Sequence, residues 1–403
     1  MARPRRQVFR PNLAEFRRRS RLTQEEVAER LGATTESISR HERGVVTPSA
    51  FLRRRYCELY DATDAQLGFV EQPSDTSQAP PDSSTEEVSK ILERVRTLTR
   101  VGSDELVCFE LGVDDLVSRY EVSGPVKLAP LLSSQRRQLE AAIDEYRDPR
   151  QRRRLFRVAG QVSGLLAYMA VNRGRYSLAR AYSLEATHLG RFAEDRDLLA
   201  WVKGTESFCE YYAGDYRRSF ELAREGLDLA GDGPQRVRLL INGEARALGK
   251  LGDAAGVNLA VKRAYDALDQ LPEIPGVNPC VSFGGYSRAR LASNAVTAYV
   301  DLGRPEEVAL HAAQARDEFD ISESSWSQSL IRLDLANSMV AARTGDPEEA
   351  SSLITAALDI SAGNPIASVV QRSRSFVQST AKWRGIPAVD DAHELVRTVA
   401  RLG

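Results

Sequence analysis

Long apolar runs are missing from this sequence of 403 residues. No stretch approaches the roughly 18 to 20 uninterrupted apolar residues of a membrane helix, and no apolar segment follows the arginine-rich start to make a secretory signal. A cytoplasmic protein without membrane contact is the expectation. Cysteine is scarce and scattered: Cys57, Cys108, Cys209 and Cys280 form no CxxC pair and have no neighbouring histidine to complete a zinc set. Reduced, partly buried thiols are expected rather than disulfides or a metal centre. The four histidines, His41, His188, His311 and His393, are equally dispersed, and neither HExxH nor a Ser/His/Asp signature occurs. The sequence therefore predicts no enzyme: no catalytic residues, no metal and no cofactor. Lysine is nearly absent too, at six residues, while arginine and alanine abound. That is the skew of GC-rich coding, so an excess of arginine is not by itself a functional signal.

What is present is distributed unevenly. A chain of this length exceeds one compact core, and two or three domains are expected. Residues 1–70 hold 14 arginines against nine acids, a net +5, and because the whole chain carries −1 the remainder carries −6. The first 21 residues are more basic still, with Arg3, Arg5, Arg6, Arg10, Arg17, Arg18, Arg19 and Arg21 against Glu15 alone. A basic end on an acidic body points to a polyanionic partner at that end; a merely solvated tail is the other reading.

From Asn12 to about Phe69 short helices alternate with polar turns. Residues 71–86, EQPSDTSQAPPDSSTE, contain no large apolar residue and read as a disordered linker. Val88, Ile91, Leu92, Val95 and Leu98 follow at helical spacing. Segments 104–120 and 131–146 read as further helices, interrupted at Gly124-Pro125 and at Pro130, which gives a helical adaptor over 87–150. Beyond it turn tetrads recur (NRGR, AGDY, LGDA, LGRP, TGDP, RGIP) with glycines at 174, 214, 252, 303, 345 and 385, at intervals of 40, 38, 51, 42 and 40. One helix before and one after each glycine, with Ala179, Ala186, Ala264, Ala315, Ala350 and Ala357 where paired helices approach, makes an array of helical hairpins. The longest interval holds an insertion, LPEIPGVNPCVSFGGY at 271–286, whose prolines and glycines forbid a continuous helix. It reads either as a cap or ligand contact over the groove of the array or as a plain surface excursion.

Residues 13–49, LAEFRRRSRLTQEEVAERLGATTESISRHERGVVTPS, carry the functional signal. Thr23 can N-cap a second helix, and Glu26, three residues on, completes a capping box. Val27, Ala28 and Leu31 supply its buried face, Ala28 being small where two helices cross, and Gly32 suits the tight turn that follows. Thr34 or Thr35 opens a third helix whose Ile38 points into the core. This run resembles the Xre and lambda-repressor-like helix-turn-helix family. The resemblance implies a third helix in the DNA major groove with its first residues against base edges. Carried over position by position, it implies base contacts from Thr35, Glu36 and Arg40: a guanidinium fork matches guanine O6 and N7, and Glu36 can accept from cytosine N4. It implies backbone contacts from Gln24, Ser37, Ser39, Arg43, Thr47 and Ser49, with Gln24 at a helix N-terminus that favours phosphate. Arg17 and Glu42 match the internal salt bridge of the family. Arg3, Arg5, Arg6 and Arg10 read either as a minor-groove arm or as a solvated tail. One such module binds a half-site weakly, so a homodimer on a palindromic double-stranded operator is expected.

The body extends the resemblance. The stretch YYAGDYRRSFELAREGLDLA, 211–230, is similar to a tetratricopeptide hairpin, although the spacing here exceeds the usual period of about 34. Xre-type readers fused to such arrays resemble the peptide-pheromone-sensing regulators of Gram-positive bacteria and, in length and turn wording, actinobacterial regulators of development and antibiotic production. That implies a peptide or small-molecule effector on the concave face. Counting back from the turn glycines puts Tyr168, Asn172, Trp201, Phe208, Tyr211, Asn242, Arg246, Asn294 and Asn337 near that face, where asparagines can pair with a peptide backbone and aromatics can anchor. Each also reads as core or solvated surface. The expected protein is an all-α transcriptional regulator with an N-terminal helix-turn-helix domain (1–70), a disordered linker (71–86), a helical adaptor (87–150) and a C-terminal superhelix of tetratricopeptide-like hairpins (151–403). In it an effector changes superhelical pitch and the spacing of two readers on DNA shifts. The rival expectation keeps the DNA reader and makes the array a docking platform for a protein partner, with no small effector.

Overall fold

The computed structural model describes residues 12–44, 48, 50–69, 91, 103–322, 324–342, 345–361 and 365–400. The linker at 71–86, the amphipathic segment after it apart from Ile91, the arginine arm, Thr47 and Ser49 lie outside the described residues. Four helices open the chain: α1 (Leu13–Arg19), α2 (Gln24–Leu31), α3 (Thr35–Glu42) and α4 (Ala50–Tyr60). They close around their own core, in which Leu13, Val27, Ile38, Tyr56 and Leu67 are fully buried. Each such side chain contributes about 1.5–3 kcal/mol of burial, enough to fix the angle between three very short helices that would not hold alone.

The body begins with α5 (Ser103–Glu145), which is two helices joined at Gly124, where φ 80° and ψ 163° break the hydrogen-bond ladder. Pro125 takes the first position of the second segment, where its missing N–H has no helical partner to lose. Pro130 lies inside that segment without ending it. The interruption expected at Pro130 is therefore absent, and one i to i−4 bond is given up instead. Leu106, Phe109, Tyr120 and Leu139 of α5 share a core with Leu155, Val162 and Trp201 of the helices that follow.

Six hairpins follow, and each of the six predicted glycines sits in the turn of one. They pair α6 (Pro149–Asn172) with α7 (Tyr176–Ala193), α8 (Arg196–Ala213) with α9 (Tyr216–Ala230), and α10 (236–251) with α11 (Ala254–Leu268). The last three pair α12 (Arg288–Asp301) with α13 (Pro305–Asp320), α14 (Ser325–Ala341) with α15 (Pro347–Ser361), and α16 (Ala367–Ser379) with α17 (Pro387–Ala400). Gly214 shows why the turns need glycine: at φ 93° it closes α8 in the left-handed region, and Asp215 next to it caps α9 by accepting from the Arg218 amide. The six alanines read as close-approach positions are all at 0 % exposure. Within α10, residues Leu239–Ala245 form a π-helical turn.

The array curls until its first and last hairpins share one core, with Tyr168 and Trp201 in the same cluster as Trp326, Leu333, Val369 and Phe376. The first segment of α5 ends in the middle of that curl. Tyr120 is fully buried there, its ring 5.9 Å from Tyr168 and 5.5 Å from Trp326. The insertion turns inward to meet it: Ser282 accepts from the Trp201 indole at 2.9 Å, the Phe283 ring packs tilted against Trp201 with centres 4.6 Å apart, and the Cys280 amide donates to Glu121 at 2.6 Å. Of its two readings, the inward one describes this geometry.

Candidate nucleic-acid interface and expected ligand groove

Local sequence builds the reading helix. Thr23 and Glu26 form the capping box, with the Glu26 amide donating to Thr23 Oγ1 at 3.1 Å and the Thr23 amide donating to Glu26 Oε2 at 2.7 Å. The backbone bond from Thr23 and its side-chain bond hold the Glu26 carboxyl below its usual range. Gly32, at φ 69°, turns the chain into α3, and Thr34 rather than Thr35 caps it by accepting from the Ser37 amide at 3.2 Å. Glu42 locks three helices together. Its carboxylate accepts Arg17 Nε at 2.6 Å, Arg17 Nη2 at 3.1 Å and Gln24 Nε2 at 2.8 Å. The expected Arg17–Glu42 pair is present, and it also takes up one N–H of Gln24. Behind α3, His41 is 3 % exposed and lies 3.3 Å from the Tyr56 hydroxyl. Burial, with the Arg40 charge next to it, pushes its pKa down to about 4, so it is a neutral core histidine.

The outward residues of α3 fall on two stripes. Glu36 and Arg43 are exposed, with Thr35 and Ser39 partly so between them. Ser37 and Arg40 line a groove of about 450 Å³ whose opposite wall is α15 and α17. Across it Arg40 Nη1 donates to Asp391 Oδ1 at 3.1 Å, the Thr34 amide donates to Glu394 Oε1 at 2.7 Å, and Thr398 Oγ1 donates to the Gly32 carbonyl at 2.7 Å. No sequence pattern marks Asp391, Glu394 or Thr398 as neighbours of α3: they lie more than 350 residues away and belong to an ordinary amphipathic helix.

Six of the nine expected groove residues, Tyr168, Asn172, Phe208, Asn242, Arg246 and Asn294, surround one central cavity of about 60 Å³. The other three serve packing: Trp201 holds the insertion, the Tyr211 hydroxyl donates to Asp301 at 3.1 Å, and Asn337 Nδ2 donates to the Leu333 carbonyl at 2.8 Å. Two ion pairs border the cavity, Arg290 with Glu121 and Arg372 with Asp334, the latter at 2.8 Å. Burial raises the Glu121 carboxyl, but Arg290 and the Ser324 and Cys280 donors outweigh it and bring the pKa down to about 2. Arg246 is different. It is 2 % exposed and, among the described residues, has no carboxylate partner. Its guanidinium donates to Tyr212 Oη at 2.9 Å and Asn242 Oδ1 at 3.1 Å, packs 4.3 Å from the Tyr211 ring centre, and keeps Nε without a partner.

No helix of the described residues is long and apolar enough to cross a membrane. No curated protein shows a significant match to the chain. Residues 12–68, α1 to α4 with the turn that follows, match a family model described as a helix-turn-helix domain, a match that points to DNA binding at this end of the chain.

Proposed function

We propose that the chain is a sequence-specific transcriptional regulator of the Xre type, cytoplasmic and without enzymatic activity, that reads a palindromic operator as a homodimer. The observation that carries this is α3 itself: a helix capped by Thr34, anchored from behind by Ile38 and the Glu42 network, with Thr35, Glu36, Ser39 and Arg43 facing outward. A fixed helix with short polar and charged side chains on its first turns is what major-groove readout requires. Genome-wide DNA capture with the wild type beside Arg40→Ala tests it. The proposal predicts captured sites that share a palindrome and a mutant that no longer selects it; identical site selection by both would contradict it.

The hairpins, similar to tetratricopeptide repeats, serve in this proposal as the effector-sensing part. The central cavity supports a small acidic group as the part of the effector that enters, because a buried arginine without a carboxylate is stabilised by gaining one. At about 60 Å³ it holds such a group and not a whole peptide. Operator binding that is identical with and without every fraction of a cell extract would count against effector control.

A further inference from the structure

We infer that α17 is an internal competitor of DNA, an acidic helix that occupies the Arg40 side of α3 and the turn before it until a duplex displaces it. The inference rests on the DNA-reading proposal and adds how the reader is held when no duplex is present. Asp391, Glu394 and Thr398 lie at i, i+3 and i+7, one stripe of α17, and every member of the stripe bonds to the turn or the helix that would enter the groove. The chemistry is that of nucleic acid. Asp391 offers the Arg40 fork a carboxylate in place of a guanine edge, and Glu394 places a negative charge on the Thr34 amide at the N-cap of α3, the end of a helix that favours an anion. The charge of the two parts agrees, −6 on the body and +5 on residues 1–70. With Arg40 30 % exposed and Asp391 44 % exposed, the pair is a solvent-accessible one of modest strength that a duplex can replace.

The test is the affinity of the full-length chain for a duplex selected in vitro from a random library, compared among wild type, Asp391→Asn/Glu394→Gln, and an exposed-acid control, Asp232→Asn/Glu306→Gln, outside α17. The α17 variant is expected to bind on the order of tenfold tighter, with the control near wild type. Equal affinity of α17 variant and wild type, or an equal gain in the control, would overturn the competitor role. If neither wild type nor α17 variant binds any duplex, it is the DNA-reading proposal that fails. Far-ultraviolet circular dichroism identifies a variant that has lost its fold, and Thr398→Val, which leaves the charge unchanged, should then show the same direction with a smaller gain.

A second site stands on separate evidence. The geometry points to a cleft of about 1020 Å³ as a binding site for a small, multiply charged phosphate compound of nucleotide size. Arg54 of α4, Lys127 of α5, Arg173 and Arg175 at the α6–α7 turn and Arg374 of α16 line it, and among the described residues no aspartate or glutamate does. All five are exposed, and among the described residues none makes an ion pair. Elsewhere in the body arginines are commonly paired, as Arg136 is with Glu185 and Arg180 with Glu210. Five like charges around one concavity repel each other and focus a positive potential that a polyphosphate neutralises. Val122, Val126 and Tyr176 give the cleft an apolar wall for the rest of such a molecule. Calorimetric titration with inorganic tripolyphosphate and with ATP tests this on wild type and Arg173→Gln/Arg374→Gln. Saturable one-to-one binding that weakens at least tenfold in the variant is expected, with ATP the tighter probe. Absence of saturable binding, or equal binding by both proteins, would overturn the site; equal affinity for the two probes would remove the apolar wall from it.

Discussion

Glu42 does more than close a salt bridge, because its two oxygens take donors from α1 and α2 while its own backbone ends α3. Its side chain is 6 % exposed and that of Arg17 is 17 % exposed, so removing the carboxylate strands a largely buried guanidinium. Glu42→Ala should therefore cost about 2–3 kcal/mol in the stability of the helix-turn-helix, read by hydrogen exchange of its amides. Arg43→Ala, at an exposed position, should stay within about 0.5 kcal/mol. His41 gives the unit a pH dependence with a defined sign. Its folded pKa, about 4, lies below the unfolded value of 6.5, so its contribution is complete above pH 6.5 and is lost as the pH falls toward 4. The loss approaches about 3 kcal/mol at the acid end. His41→Gln should narrow that window, and the difference between the melting curves of the two proteins from pH 7 to pH 4 measures it. The Thr23, Glu26 and Ile38 roles were legible from local spacing, and the Arg17–Glu42 pair from the resemblance to the helix-turn-helix family. The partner of Arg40 was not, because no local pattern marks a surface acid on a distant helix.

Turns were the most readable elements, since a left-handed position selects glycine whatever surrounds it, as at Gly174, Gly214, Gly252, Gly303 and Gly385. Helix interiors were read less well. The π-helical turn at Leu239–Ala245 has no sequence signature, and Pro130 was taken for a break although the helix runs through it. Contact between helices explains glycines that turns do not. A Cβ at Gly249 of α10 would lie 2.7 Å from the carbonyl oxygen of Ala298 in α12, backbone that cannot give way. Gly249→Ala should then destabilise the array by about 1–3 kcal/mol despite the better helix propensity of alanine, a change visible in chemical denaturation.

Across the whole molecule the array is closed by contacts that length and composition do not announce. Glu121 lies 169 residues before Arg290 and 206 before Ser327, yet it joins α5, the insertion, α12 and α14 at the centre of the curl. Glu121→Ala would leave Arg290 buried and unpaired, and a loss of about 3–5 kcal/mol in global unfolding is expected. Six of the nine expected groove residues converge where the count back from a turn held the helix phase, and Trp201, Tyr211 and Asn337 turn to packing instead. The space they enclose is small because Tyr120 and the insertion fill the curl, and neither belongs to the repeating pattern. Base reading by Arg40 of α3, as proposed, is tested by titrating wild type and Arg40→Ala against one selected duplex and its scrambled counterpart. Loss of the Asp391 pair acts on both duplexes alike, so the ratio of the two affinities isolates base reading. If Arg40 reads a base, the discrimination between the two duplexes falls by about 1–3 kcal/mol in Arg40→Ala; an unchanged ratio would show that it reads none.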